Sequence, residues 1–508
     1  MPLNRPLRSL HSQSTLSRQR RLVQGITLVI CFLIIPGLLL LITWMTPALA
    51  ATPRHYNELT FPPLPEVQVP DYQRTTLDNG LTLYLLEDHD LPLVSGQAWI
   101  KTGSRWEPAD QVGLASITGE VMRSGGTLTH PADQLNELLE QRAAAVEVSI
   151  DTTAGSASFS ALSEDLPQVF ELFSEVLRKP ALPPDKIDLS KTQHLGSIQR
   201  RNDDPEDIGS REFRRLIYGR QSPYARIEEV ETIDNIQRED IQRFYQTYFQ
   251  PNRMILGIVG DFDTPTLLAQ INQTLGDWRP SASGVEDTLP EVAQTANPGL
   301  YLVNLPQLTQ STVQIGHLGG RLDEPDVFPL YVMNEILNSF GGRLFNEVRS
   351  RQGLAYSVYG VWSPQYDYPG LLISGGQTRS DTTVPFIQAV KSELKKLRET
   401  QVSAKELQQA KDAILNSFVF NFDRPGKVLT RLMRYEYYGY PEDFIFRYQR
   451  AVKATTQADV LGAAQRNLRP DQLVTLVVGN QASIQPPLTS LAPQVTPVDV
   501  TIPKGNLG

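Results

Sequence analysis

The sequence predicts an α+β fold made of two duplicated α/β-sandwich halves, and three observations point there. Leu83-Tyr84-Leu85, Gly103 and Glu107-Pro108 return as Leu300-Tyr301-Leu302, Gly320 and Glu324-Pro325 at one offset of 217, and Pro251 through Val259-Gly260 returns as Pro470 through Val478-Gly479 at 219. Two offsets so close mark a repeated domain. In the first copy, β-rich runs and helical periodicities come in alternating blocks, the pattern of layered α+β domains. Residues 281–299, rich in Ser, Gly, Pro and acidic residues, read as the linker between the copies.

Taken in order, residues 51–71 are proline-rich and aperiodic and read as a linker. An N-terminal domain spans residues 72–280. It opens with the tight turn Asp78-Asn79-Gly80, and the runs 81–86 and 93–100 are predicted to form a hairpin around the loop 87–92. A helix follows within 113–127, then another near 133–145 with Leu135, Leu138 and Leu139 at helical spacing and Pro131 near its start. Strands at 146–150 and 157–161 precede a helix at 166–177, which Pro180 brings to an end. A long helix over 185–201 runs into Asp203-Asp204-Pro205, and the domain closes with a helix containing Phe244-Tyr245 and the apolar strand 254–259. The second copy covers residues 300–480, and the proline-rich tail 481–508 is expected to be disordered.

Composition narrows the function. The chain has 508 residues, 40% of them hydrophobic, enough for sizeable cores, and its formal charge of −9 with no concentrated basic face argues against nucleic-acid binding. The first 50 residues hold Arg5, Arg8, Arg18, Arg20 and Arg21 and no acid, then an apolar run at 26–45 and Ala48-Leu49-Ala50. This is an export signal. The small-x-small ending favours cleavage after Ala50, whereas the length of the run, about 20 residues, would also let it span a bilayer as an anchor. Either way the arginines stay inside, and the rest is exported to the periplasm or the outer face of the inner membrane. The only cysteine, Cys31, lies in that run, so the exported part has neither a disulfide nor a thiol nucleophile.

The stretch Gly113 to Thr127, GLASITGEVMRSGGT, follows a predicted strand, where a zinc peptidase would carry two histidines at i and i+4 with a glutamate that polarises water. The chain's histidines, His11, His55, His89, His130, His194 and His317, are too scattered for any helix to present such a pair. Gly113-Leu114-Ala115, Met122 and Gly126-Thr127, with Asp78-Asn79-Gly80-Leu81 and Ile258-Val259-Gly260-Asp261-Phe262, resemble the insulinase/pitrilysin-like zinc metallopeptidases, in the processing-peptidase branch. The resemblance covers about residues 72–480. It implies the metallopeptidase-like (LuxS/processing-peptidase) fold, whose two halves close like a clam around a chamber for an extended peptide.

The family motif His-x-x-Glu-His follows GLA, so here Ser116 stands for the first histidine, Gly119 for the general base and Glu120 for the second histidine. The third ligand, counted back from Asp203-Asp204-Pro205 by the family spacing, falls on Ser197. A serine hydroxyl is a poor zinc ligand, glycine carries no base and one carboxylate cannot close a three-ligand site. All four zinc-site positions are therefore degenerate, and the chain is expected to bind no cofactor. Glu120 could hold a stray cation or fill the emptied pocket by pairing with Arg123, and the structural use is the one expected. Ser116 has no elbow sequence or neighbouring histidine to act as a nucleophile.

The second half keeps more. Gly341 to Arg349, GGRLFNEVR, leads into Gly353-Leu354-Ala355-Tyr356-Ser357-Val358. In family members an arginine and a tyrosine seven apart in this stretch bind the substrate backbone and steady the oxyanion, and Arg349 and Tyr356 match them. A guanidinium and a phenol are suitable donors for that task. By spacing alone, Arg349 could be a solvated charge and Tyr356 core. His317 is expected to cap or pack, Gly341-Gly342 lacks the lysine of a phosphate loop, and Tyr435, Tyr437, Tyr438 and Tyr440 read as a packed interface.

Together these readings describe an exported peptidase homologue that cannot work alone. It would serve as the non-catalytic, substrate-binding subunit of a heterodimer whose partner, another insulinase-family chain, holds the zinc. A structural or peptide-binding envelope protein, like the core subunits of respiratory complexes, is the alternative, and a stand-alone zinc protease is disfavoured.

Overall fold

The computed structural model describes residue 59, residues 69–281 and residues 288–503. The chain divides into two units, residues 1–66 and 67–508, and every element below belongs to the second. The export signal, its apolar run and Cys31 lie outside the described residues, as does most of the linker 51–71. Among the described residues no helix is long and apolar enough to cross a membrane.

In the N-terminal half the strands are β1 (Gln73–Thr76), β2 (Thr82–Glu87), β3 (Leu93–Ile100), β4 (Ala145–Ile150), β5 (Gly155–Leu162) and β6 (Met254–Gly260). The helices are α1 (Leu114–Ser124), α2 (Ala132–Glu140), α3 (Leu166–Arg178), α4 (Pro184–Arg200), α5 (Pro205–Tyr218), α6 (Val230–Asn235), α7 (Arg238–Tyr248) and α8 (Thr264–Leu275). The sheet order is β1-β2-β6-β3-β5-β4. This corrects the expected hairpin: β2 and β3 are not paired, because β6 lies between them, parallel to β2 and antiparallel to β3. The reason is in the residues. MILGIVG is buried along nearly its whole length, as a central strand covered on both faces must be, so it takes the middle of the sheet.

The C-terminal half repeats this plan with β7 (Gly299–Asn304), β8 (Gln310–Leu318), β9 (Ala355–Ser363), β10 (Leu371–Arg379), β11 (Val474–Gly479) and β12 (Val495–Pro497) in the order β12-β7-β11-β8-β10-β9. Its helices are α9 (Val327–Asn338), α10 (Thr383–Glu399), α11 (Ala404–Phe418), α12 (Pro425–Tyr438), α13 (Phe444–Ala454) and α14 (Gln457–Asn467). The duplication extends to register. Leu83 faces Leu256, which faces Ala98, in the first sheet; Leu300 faces Thr475, which faces Ile315, in the second.

The expectation of a disordered tail is also corrected. Ile484 and Leu488 are buried in the C-terminal core, and β12 adds itself in parallel to β7 as the outer strand. Val498 and Val500 pack against α5, so the tail's apolar residues have places to go. The linker between the copies is likewise held where it is described: the amides of Thr295 and Ala296 donate to the carbonyls of Ile217 and Leu216 at the end of α5.

Each half lends a helix to the other's sheet. The N-terminal α5 packs on β8 and β11, and the C-terminal α12 packs on β2, β3 and β6. The approach is close: a Cβ on Gly257 of β6 would lie 2.3 Å from Met433 Sδ. Across the same junction the buried Arg105 guanidinium meets Asp367 at 2.7 Å. Tyr437 OH donates to the carbonyls of Ile100 and Thr153, and Tyr438 OH lies 2.9 Å from Thr153 Oγ1. Tyr437 and Tyr438 form the packed interface expected of the tyrosine cluster, whereas Tyr435 and Tyr440 pack within the C-terminal half, where Tyr440 OH donates to the Tyr366 carbonyl.

Candidate functional site

Helix α1 lies along β4, the edge strand of its sheet. Its buried stripe, Leu114, Ala115, Ile117, Thr118, Val121 and Met122, fixes which residues look outward. Gly119, at the base position, faces β4, and a Cβ there would sit 3.3 Å from the Ile150 nitrogen and the Ser149 Cα. Ser116 and Ser197 line one cavity of about 590 Å³, so the fold does bring these two positions together. Ser197 Oγ donates only to the Gln193 carbonyl of its own helix.

Glu120 does not pair with Arg123. Arg123 is drawn the other way, donating to the Val146 carbonyl and to Asn136. Glu120 instead accepts from Ser190 at 2.6 Å and lies 3.1 Å from His194 Nε2, while His194 Nδ1 lies 2.7 Å from Glu228. One imidazole thus bridges two carboxylates, the three groups coming from three segments of the chain. Its bonds to Glu120 and Glu228 outweigh burial and lift its pKa to about 10, so it is a cation at neutral pH. Burial pulls the Glu120 pKa upward, but His194 and Ser190 outweigh it and hold the group below the usual carboxylate range.

This donor set does not fit zinc. Two positions are serines, one is glycine, and both nitrogens of the one histidine nearby among the described residues are taken by carboxylates. Among the described residues no group of three His, Cys, Asp or Glu side chains is arranged to hold a metal ion. His194 was not singled out from the sequence. The available signal was its place one turn before Ser197 on the same helix, which puts it beside the position of the third ligand.

Glu107, also in the cavity wall, is buried and accepts from the Ala115 amide at 3.0 Å. Burial dominates over that bond and over the nearby Arg226, lifting its pKa to about 7. His317 packs and caps as expected: Nδ1 donates to the Leu318 carbonyl and Nε2 accepts from the Arg469 amide. Burial holds its pKa down to about 4, so it stays neutral.

The second pair of residues sits elsewhere. Arg349 belongs to a short π-helical turn, Phe345–Arg351, and Tyr356 to β9, the edge strand of the second sheet. The structure brings them together: the Arg349 guanidinium lies between the rings of Phe345 and Tyr356, 4.8 and 4.7 Å from their centroids. Glu347 is engaged with Arg351, and among the described residues no carboxylate lies within 4 Å of Arg349. Tyr356 is 83% exposed, so it is not core. Neither residue lines the cavity at Ser116.

The comparisons with known proteins agree with these features. Residues 85–221 match the family model described as insulinase, peptidase family M16, and residues 235–414 match the one described as the peptidase M16 inactive domain. The chain is 22% identical over 363 residues to an uncharacterized zinc protease, YmxG, of Bacillus subtilis, covering 71% of this chain and 86% of that protein. It is 24% identical, over 70% of this chain and 82% of the other, to the non-peptidase homolog YmxG of Helicobacter pylori. The crystal structure of a peptidase M16 inactive domain from Pseudomonas fluorescens superposes with a TM-score of 0.74 at 22% identity, over 82% of this chain and all of that one. With the paired halves, the repeated sheet order and the substituted helix α1, these matches place the chain in the insulinase family of peptidases, as a member whose zinc motif is degenerate.

Proposed function

We propose that this chain is the substrate-holding, non-catalytic subunit of a heteromeric zinc endopeptidase, paired with an insulinase-family chain that carries an intact zinc helix. The observation that carries the reading is the Phe345–Arg349–Tyr356 stack: a half-buried guanidinium held by ring contacts with no charge partner of its own, beside a phenol open to solvent. Arg349 and Tyr356 would face the partner's metal across a shared chamber and donate to the peptide carbonyl as it becomes an oxyanion. The edge strands β4 and β9 each leave one side unpaired within their sheets, and an extended peptide can add to such an edge. The basic leader and the apolar run at 26–45 support export, placing the pair in the periplasm or on the outer face of the inner membrane.

The test is reconstitution with a zinc-bearing relative. Arg349→Ala with Tyr356→Phe is expected to lower kcat by at least about 10²-fold, the usual cost of an oxyanion donor, without weakening the complex. Unchanged hydrolysis by the doubly substituted pair would remove the shared-chamber reading. Purification of the native chain with a non-peptidase partner alone would favour a structural envelope role.

A further inference from the structure

The cavity lined by two of the four emptied zinc positions, Ser116 and Ser197, is walled by cations that the degenerate motif does not explain. Four arginines line it: Arg201, Arg211, Arg214 and Arg226. Arg201 is satisfied by Glu229, and Arg211 by Glu212. Glu212 is already shared, since Arg215 and Arg220 also lean on it, leaving α5 and its end with more positive than negative charge. Arg214 donates to the Tyr224 carbonyl and lies over the Tyr218 ring with the Tyr368 hydroxyl beside it, and Arg226 donates to the carbonyls of Ser104 and Glu107. Among the described residues neither has a carboxylate within 4 Å, and Arg226 Nε is buried without a partner.

The acids of the wall do not fully offset them. Glu228 is taken by His194, and Asp151 accepts from the amides of Thr153 and Ala154. Glu107 is held by the Ala115 amide and is the wall carboxylate whose charge reaches Arg226, but burial keeps it partly protonated near neutral pH, so it offsets Arg226 only in part. Ile150, Asp151 and Thr152, at the end of the edge strand β4, form another side of the cavity. An extended peptide added to β4 would therefore pass the mouth.

We propose that Arg214 and Arg226 bind a peptide carboxylate, an acidic side chain or a free C-terminus, in the cavity beside Ser116 and Ser197. The inference rests on the peptide-binding part of the reading above but needs no partner subunit. A guanidinium with unused N–H groups in a partly buried wall pairs with carboxylate far better than with an amide.

The experiment is fluorescence anisotropy of labelled ten-residue peptides with the full chain alone. One peptide carries two glutamates and a free C-terminus, a second is its glutamine, C-amidated twin, and two intermediates carry one change each to identify the carboxylate. Inorganic phosphate serves as competitor. The acidic peptide is expected to bind at least about tenfold tighter than its neutral twin, as for hydrogen bonds to a charged group. Arg214→Gln should erase that preference while Arg214→Lys keeps part of it. Ser197→Glu, on an exposed helix position that leaves the arginines untouched, should erase it as well and guards against a folding defect in the first variant. Equal binding of the twins, no binding of either, or a preference that survives both Arg214→Gln and Ser197→Glu would overturn the proposal. So would competition by phosphate without any peptide preference, which marks a free-anion site. None of these results bears on the role of Arg349 and Tyr356, which is read from hydrolysis by the pair.

Discussion

Replacing His194 tests whether an imidazolium now occupies the ground left by the metal. In the fold its proton is held by Glu120 and Glu228, and the pKa rises from 6.5 to about 10. At about 1.4 kcal/mol per pH unit this caps the linkage at about 5 kcal/mol. Glu120 is 44% exposed, so water screens one of the two contacts, and about 2–3 kcal/mol is the expected share. The sign follows from the direction of the shift. A group whose folded pKa is raised adds stability that is complete below the unfolded value of 6.5 and is lost as pH rises through about 10. The assay is urea unfolding of the wild type and His194→Gln across pH 7.5–10, starting where Glu107, with its own value near 7, has largely finished titrating. One pH unit above 6.5 removes about 1.4 kcal/mol of that share, so the variant should be weaker by about 1–1.5 kcal/mol at the lower end, with the gap closing toward pH 10. A gap that stays constant across the range would mean that His194 contributes by packing alone, and the idea of a buried cation at this position would be wrong.

Three further outcomes are expected. Arg105→Ala leaves the Asp367 carboxylate buried and unpaired where the halves meet, and should cost about 3 kcal/mol in denaturant unfolding; a loss below about 1 kcal/mol would mean that the junction is wetter than its geometry implies. Metal analysis of the purified chain should find zinc far below one equivalent, and added zinc should leave the thermal midpoint unchanged; a stoichiometric ion would contradict the substituted donor set. Deleting residues 481–508 strips β12 from β7 and exposes the sites filled by Ile484 and Leu488, so the truncated chain should lose several kcal/mol of stability or fail to accumulate; a fully stable truncation would show that β12 is dispensable.

What could be read from the sequence was what the chain writes locally or twice. The substituted motif on α1 is local, so Ser116, Gly119 and Glu120 could be named from letters alone, and Ser116 and Ser197 do meet in one cavity. The duplication could be read because the same residue types recur at a fixed offset. The partner of Glu120 was missed because it is chosen in three dimensions. Arg123, three residues away, had a backbone carbonyl on β4 to satisfy, whereas Ser190 and His194 came from another helix and Glu228 from a later loop. The false hairpin had the same cause: adjacency along the chain suggested that β2 and β3 pair, and a strand more than 150 residues away, better suited to burial, separated them.

The tail shows how a duplicated domain solves a problem created by duplication. In the first half the outer strand β1 precedes β2 in the chain and pairs with it antiparallel. The second copy of that strand would have to come from the linker, but residues 292–296 are committed to α5. The position beside β7 would then be an open edge, with unpaired backbone groups next to a buried core. The tail closes it from the other direction, so β12 runs parallel to β7 where β1 runs antiparallel to β2, and the two sheets still reach the same six-strand order. A proline-rich composition does not oppose this use. Proline is tolerated on an outer strand, where its missing N–H can face away from the ladder, and Pro497 occupies such a place opposite Leu302. The composition was wrong about order, because what decides order is whether the apolar residues of a segment find a surface, and Ile484, Leu488, Val498 and Val500 each find one.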